Sequence, residues 1–173
     1  MPAFVFTRKD WLWILGLPVY VLIGTARHEL SHALAAMLEG AHVEKIHLIP
    51  SLAPDRGLLW GYVNWSGATT WIPLAAPYFC DLLTFLLGTW LFCARITMPR
   101  WLRIQIFVIG VVSPAVDSSF NYLGLLHNHL SDAARVAAAV PHFWVVAWVT
   151  LSLAVYGVGI FSLVRSHTNR GVK

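Results

Sequence analysis

The sequence predicts an all-α membrane protein: a four-transmembrane-helix bundle with a membrane-associated β-hairpin between helices 1 and 2. Three observations lead there. The chain is 58% hydrophobic and only 12% charged over 173 residues, too apolar for a soluble domain of that size. Four apolar stretches, 11–38, 71–96, 101–126 and 143–164, reach or approach the roughly 20 residues that cross a bilayer core. Trp11, Trp13, Trp71, Trp101 and Trp144 stand at the ends of these stretches, where amphipathic rings anchor a helix at the interface. A single integral membrane domain, 1–173, accounts for the whole sequence, which has no internal repeats or low-complexity tracts.

Taken in order, the first helix opens near Asp10, a natural N-cap, and stops at Gly40. Its basic Arg8 and Lys9 and its Ala33-Leu34-Ala35 imitate a cleavable signal. Cleavage would discard Arg27, His28 and Glu29, so the segment is read as retained. From 42 to 66 the pattern changes to β-branched and aromatic residues in loose alternation, broken by Pro50, Pro54, Asp55 and Gly57, which predicts a hairpin. Trp60, Tyr62 and Trp65 place it near the membrane surface. The short Thr97-Met98-Pro99-Arg100 turn makes the second and third helices antiparallel neighbours. Between the third and fourth, Ser131 is positioned to cap a short surface helix. Cys80 and Cys93 lie thirteen residues apart on one helix, roughly 20 Å, and cannot pair.

A net charge of +4 invites a nucleic-acid reading, but the twelve Lys and Arg residues form no run or stripe that could follow phosphates. They flank the apolar stretches instead. Arg8, Lys9, Arg95, Arg100, Arg103, Arg165, Arg170 and Lys173 lie on one alternating set of flanks, against Lys45, Arg56 and Arg135 on the other, which predicts both termini in the cytoplasm. The partners expected are the lipid bilayer and a membrane-protein substrate; nothing speaks to oligomeric state.

The chemistry is concentrated in His28-Glu29-Leu30-Ser31-His32. Residues four apart share a helix face, so both imidazoles can reach one ion. A zinc ion (Zn2+) there activates water, and the adjacent Glu29 can take and return the proton, the chemistry of peptide-bond hydrolysis. A chain of this composition produces the pattern by chance in roughly 0.006 cases. The bland alternative is a polar helix face satisfied by hydrogen bonds, yet ionisable groups inside an apolar span are costly without a function. A catalytic zinc needs a third protein ligand. Glu39 is poorly spaced and His42 lies past Gly40, leaving Asp81, Asp117 and the His127/His129 pair. His28, Asp81 and Asp117 sit 15 to 17 residues from the same flank, so all three can meet at one depth.

These features resemble the site-2 protease family of intramembrane zinc metallopeptidases. The resemblance covers roughly 11–126: a helix bearing the His28/Glu29/His32 motif, a hairpin, a second helix, and a third with Ser113-Pro114-Ala115-Val116-Asp117. It implies a zinc metalloendopeptidase that cuts peptide bonds in or near transmembrane segments, with His28, His32 and Asp117 as metal ligands and Glu29 as catalytic base. The Gly that follows the family's Asp is replaced by Ser118, and its upstream Asn has no equivalent. Asn121, one turn beyond Asp117, can orient that carboxylate or bind the substrate carbonyl. The competing class is a non-proteolytic metal-binding membrane protein, a chaperone or regulator with the same fold; dispensability of Glu29 would distinguish it.

Overall fold

The apolar stretches form helices in the predicted order. The computed structural model describes residues 16–53, 57–94, 97–127 and 131–168. Helix α1, Leu17–Leu38, carries Pro18 in its first turn, where the missing N–H is no loss. The predicted start at Asp10 lies outside the described residues. The predicted stop is found: Gly40 adopts φ 86°, Ala41 N–H donates to Ala36 O and Gly40 N–H to Met37 O, both at 3.0 Å. Those paired bonds are a Schellman ending, which needs a left-handed residue at that point. Glu39 accepts from Thr70 N–H at 2.7 Å and so ties the end of α1 to the start of the next helix.

The hairpin has two tiers. Strand β1, His42–His47, pairs antiparallel with β4, Tyr62–Ser66, from His42 opposite Ser66 to His47 opposite Tyr62, with an irregularity between Val43 and Lys45. Beyond it β2, Ser51–Ala53, pairs with β3, Gly57–Leu59. Helix α2, Ile72–Cys93, contains Pro77. The predicted third helix is continuous but not uniform: α3, Arg100–Phe107, passes through a π-helical turn, Val108–Val112, into α4, Ser113–His127. Pro114, just past that turn, has no N–H to donate and a ring that crowds a regular α-turn, and a widened turn accommodates both. The short helix capped by Ser131 is α5, Asp132–Ala139, with Ser131 Oγ accepting from Ala134 N–H at 3.2 Å. Helix α6, His142–Thr168, ends the described chain.

Three of these helical segments are long and apolar enough to cross a membrane: Ile72–Cys93, Arg100–Leu126 and His142–Arg165. The segment expected to be the first span is not among them. At 22 residues α1 has the length, but Arg27, His28, Glu29, Ser31 and His32 depress its apolar character. Helix α2 is central. Its Phe85 packs with Val111, Ala115, Tyr156 and Leu163, and its Gly88 meets Gly110 so closely that a Cβ there would stand 2.3 Å from the Gly110 carbonyl oxygen. That backbone-to-backbone crossing draws α2 against the third rod. Leu22, Leu30, Leu34 and Leu38 point away from the neighbours of α1, so its polar face is the one turned inward.

Candidate metal centre

The four-residue spacing puts the His28 and His32 rings on one face of α1, with centroids 4.9 Å apart and both side chains buried. A bound ion needs each ring held through one nitrogen while the other keeps a free lone pair. Both rings meet that need through Nδ1. His32 Nδ1 lies 2.7 Å from the carbonyl oxygen of Pro73, which can only accept, so the proton is on Nδ1. The local sequence explains why that carbonyl is available. In a regular helix it would accept from the amide four residues on, but that residue is Pro77, which has no N–H. His28 Nδ1 lies 3.2 Å from Asp117 Oδ2, a charged acceptor of the kind that raises ligand basicity.

The free Nε2 atoms converge on a residue that the spacing arguments passed over. Asp132 Oδ2 stands 3.2 Å from His32 Nε2 and 3.7 Å from His28 Nε2. His28, His32 and Asp132 form a group that could hold a metal ion, with one donor atom from each within 4.8 Å of the others. A tetrahedral ion bound at about 2.0–2.1 Å separates its ligand atoms by about 3.3–3.4 Å, close to the two distances from Asp132 Oδ2 to the rings, 3.2 and 3.7 Å. Asp132 is the first residue of α5, where a carboxylate also favours the positive end of the helix dipole. Burial would push its carboxyl up, but its His28 and His32 neighbours outweigh that and hold it well below the usual carboxylate range.

The resemblance implied that Asp117 is the third ligand, and the geometry places it differently. Asp117 comes to the centre as expected, but at His28 Nδ1, while the carboxylate on the Nε2 side is Asp132. Asn121 lies on Asp117 as the one-turn spacing implies, its Nδ2 donating to Oδ1 at 3.1 Å and to the Asp117 carbonyl oxygen at 3.1 Å. Asp81, the alternative ligand, is committed elsewhere: it is 1% exposed, accepts from Arg27 Nε at 2.7 Å and from Ser118 Oγ at 2.9 Å. Tyr156 in turn donates to Ser118 Oγ at 3.1 Å. Arg27 also faces Asp117, with Nη2 3.5 Å from Oδ2. Arg27 therefore joins the depth-matched Asp81 and Asp117 across α1, α2 and α4. The His127 side chain and His129 lie outside the described residues.

Glu29 is 7% exposed and interacts electrostatically with His28, His32, Asp132 and Asp117. The hairpin closes over it. A Cβ on Gly61, between β3 and β4, would stand 2.9 Å from Glu29 Oε1 and 2.6 Å from Thr25 Cγ2, so only glycine permits this approach. Four residues on, the Trp65 ring lies 6.3 Å from the His32 ring. Strand β4 thus spans the stretch of α1 that carries the motif. In the charge balance of the buried Glu29 and Asp81 and the half-buried Asp117 and Asp132, four carboxylates stand against Arg27, with the more exposed Arg135 at 3.7 Å from Asp132. A divalent cation offsets two of those negative charges, which is the electrostatic side of the fit.

The signals for Asp132 in the sequence were its place after a capping serine and its separation by one turn from Arg135. Both describe a helix start and neither describes a ligand. Comparisons with protein-family models, with curated proteins and with solved structures find no match to this chain.

Proposed function

We propose that this chain is an intramembrane zinc metalloendopeptidase of the site-2 protease type, hydrolysing peptide bonds in or near transmembrane segments of membrane proteins. The observation that carries the reading is the inward triangle of His28 Nε2, His32 Nε2 and Asp132 Oδ2, with Glu29 beside it, enclosed among membrane-length helices. Two imidazoles and one carboxylate suit catalytic zinc, whose fourth ligand is water or substrate. The ion, when bound, supplies Lewis-acid polarisation to water and to the scissile carbonyl.

The protein's own groups do the rest. Asp117, oriented by Asn121, and the Pro73 carbonyl fix the two rings. Glu29 takes a proton from the attacking water as its oxygen bonds to the carbonyl carbon. It returns that proton to the amide nitrogen as the C–N bond breaks. A helical substrate hides its carbonyls in its own hydrogen bonds, so the cut segment must be extended. Strand β4, running over Glu29 and His32, offers backbone groups with which an extended segment can pair.

In this reading α1 is a fourth span. Its 22 residues extend about 33 Å, and the polar face that lowers its hydropathy is covered by α2, α4 and α5. The Lys and Arg asymmetry supports cytoplasmic termini. The test is metal analysis of purified protein paired with cleavage of a reconstituted single-span reporter. Wild type and Glu29→Gln should hold stoichiometric zinc, and His28→Ala and Asp132→Ala should hold none. Only wild type should cleave. A Glu29→Gln protein as active as wild type would refute the peptidase and leave a metal-binding chaperone or regulator.

A further inference from the structure

Three tyrosines are buried in the interior, and two have hydroxyl partners. Tyr122 accepts from Trp148 Nε1 at 3.0 Å and from Ser152 Oγ at 3.1 Å, and Tyr156 donates to Ser118. Tyr78 does not follow them. Its side chain is 3% exposed, and its hydroxyl has no hydrogen-bond partner among the described residues. A buried hydroxyl forfeits its bonds to water, and leaving it unpaired is an expense that native interiors avoid unless the group has other use.

Its place gives the use. On α2, Tyr78 follows Pro77 and precedes Asp81 by three residues, between the carbonyl that holds His32 and the carboxylate that holds Arg27. Its ring meets the His28 ring edge to face at 6.4 Å and 84°. The other side packs on Tyr122 and on Ala133, the residue next to Asp132. The charges acting on the phenol include Asp132 and Asp117, the carboxylates on the two sides of His28. The phenol therefore packs directly beside the metal centre, with its hydroxyl not used by any described residue. That centre is rich in carboxylates, which repel a second developing negative charge. A neutral phenol O–H can donate to such a charge, adding to what a bound ion supplies.

We propose that Tyr78 is a catalytic hydrogen-bond donor to the scissile carbonyl oxygen, an assignment that rests on the peptidase reading. As the water oxygen bonds to the carbonyl carbon, the C=O electron pair moves onto the carbonyl oxygen, which accepts a strengthened hydrogen bond from the Tyr78 O–H. Tyr78 keeps its proton throughout. When the C–N bond breaks, the electron pair returns to re-form C=O, and the proton carried by Glu29 goes to the amine.

The experiment compares full-length wild type and Tyr78→Phe in liposomes, measuring zinc content, reporter cleavage, and affinity for a leucine-flanked peptide phosphinate. The phosphinate's tetrahedral P–O⁻ imitates the charged oxygen. Tyr78→Phe should keep its zinc and hold KM within about twofold, while kcat falls about 10²-fold, the loss typical of one oxyanion donor. Phosphinate affinity should fall by a similar factor. Unchanged kcat and phosphinate affinity would overturn the assignment and leave the peptidase reading standing. Loss of zinc along with activity would also overturn it, making Tyr78 a support for the ligands. If wild type cleaves nothing, phosphinate binding by the two zinc-loaded proteins still decides the donor role, and a wild type that does neither overturns both readings.

Discussion

Replacing Pro77 with alanine should weaken metal binding without weakening the fold, an outcome that few core substitutions share. The structure supplies the reason. Pro77 cannot donate to the Pro73 carbonyl, and His32 Nδ1 uses that oxygen at 2.7 Å. Alanine restores an amide N–H four residues on, which pulls the carbonyl toward the helix axis and competes with the imidazole. On the fold, removing an interior proline recovers up to about 3 kcal/mol of helix stability. Deleting two buried ring methylenes costs about 1.6 kcal/mol, at about 0.8 each. The apo-protein should therefore be unchanged or about 1 kcal/mol more stable. On the metal, loss of a hydrogen bond that orients a ligand typically costs 10- to 100-fold in affinity. The retained second lone pair of Pro73 O argues for the low end, about tenfold. Zinc competition titration and thermal unfolding of the apo-protein in detergent read the two quantities separately. Zinc affinity within about twofold of wild type would refute the claim that the Pro73 carbonyl orients His32.

Asp132→Ala should abolish zinc binding, whereas Asp117→Ala should retain zinc with affinity lowered about 10- to 100-fold, because one carboxylate faces Nε2 and the other Nδ1 of His28. Equal loss of metal in both variants, measured by equilibrium dialysis, would return Asp117 to the ligand set. Arg27→Leu should destabilise the protein by about 3–5 kcal/mol by leaving the buried Asp81, and the half-buried Asp117 beside it, without their cation. Pairing it with Asp81→Leu should recover part of that loss in a double-mutant denaturation cycle, and independent effects would argue against the ion pair. Gly61→Ala should leave zinc content intact while cleavage drops, because the added methyl collides with Glu29 and Thr25 and not with the histidines. A Gly61→Ala protein that cleaves at the wild-type rate would show that the hairpin at Gly61 does not hold Glu29.

Local periodicity encodes what repeats along one element. The 28/32 spacing, three of the four apolar spans, the Gly40 stop, the hairpin at 42–66 and the Ser131 cap are all settled within a few residues of chain, and the structure has each of them. Even the meeting of His28 with Asp117 could be anticipated, since equal distances from a common flank place side chains at one depth. The polar face of α1 was equally plain, and it is what keeps that helix from the hydropathy of the other three.

Tertiary structure decided which atom faces which. An imidazole has two nitrogens on opposite edges, so a carboxylate at the right depth can be ligand or orienter, and only the rotation of α4 against α1 puts Asp117 on the Nδ1 edge. Asp132 could not be found by looking within the spans, because it reaches the centre from the start of a short helix outside them. The Pro73 carbonyl is invisible in the same way: Pro77 frees it locally, but its acceptance by His32 needs α2 docked against α1. Spacing fixes direction along a helix, and packing between helices fixes rotation about it, so the group that could hold a metal, His28, His32 and Asp132, became legible only once the helices were assembled.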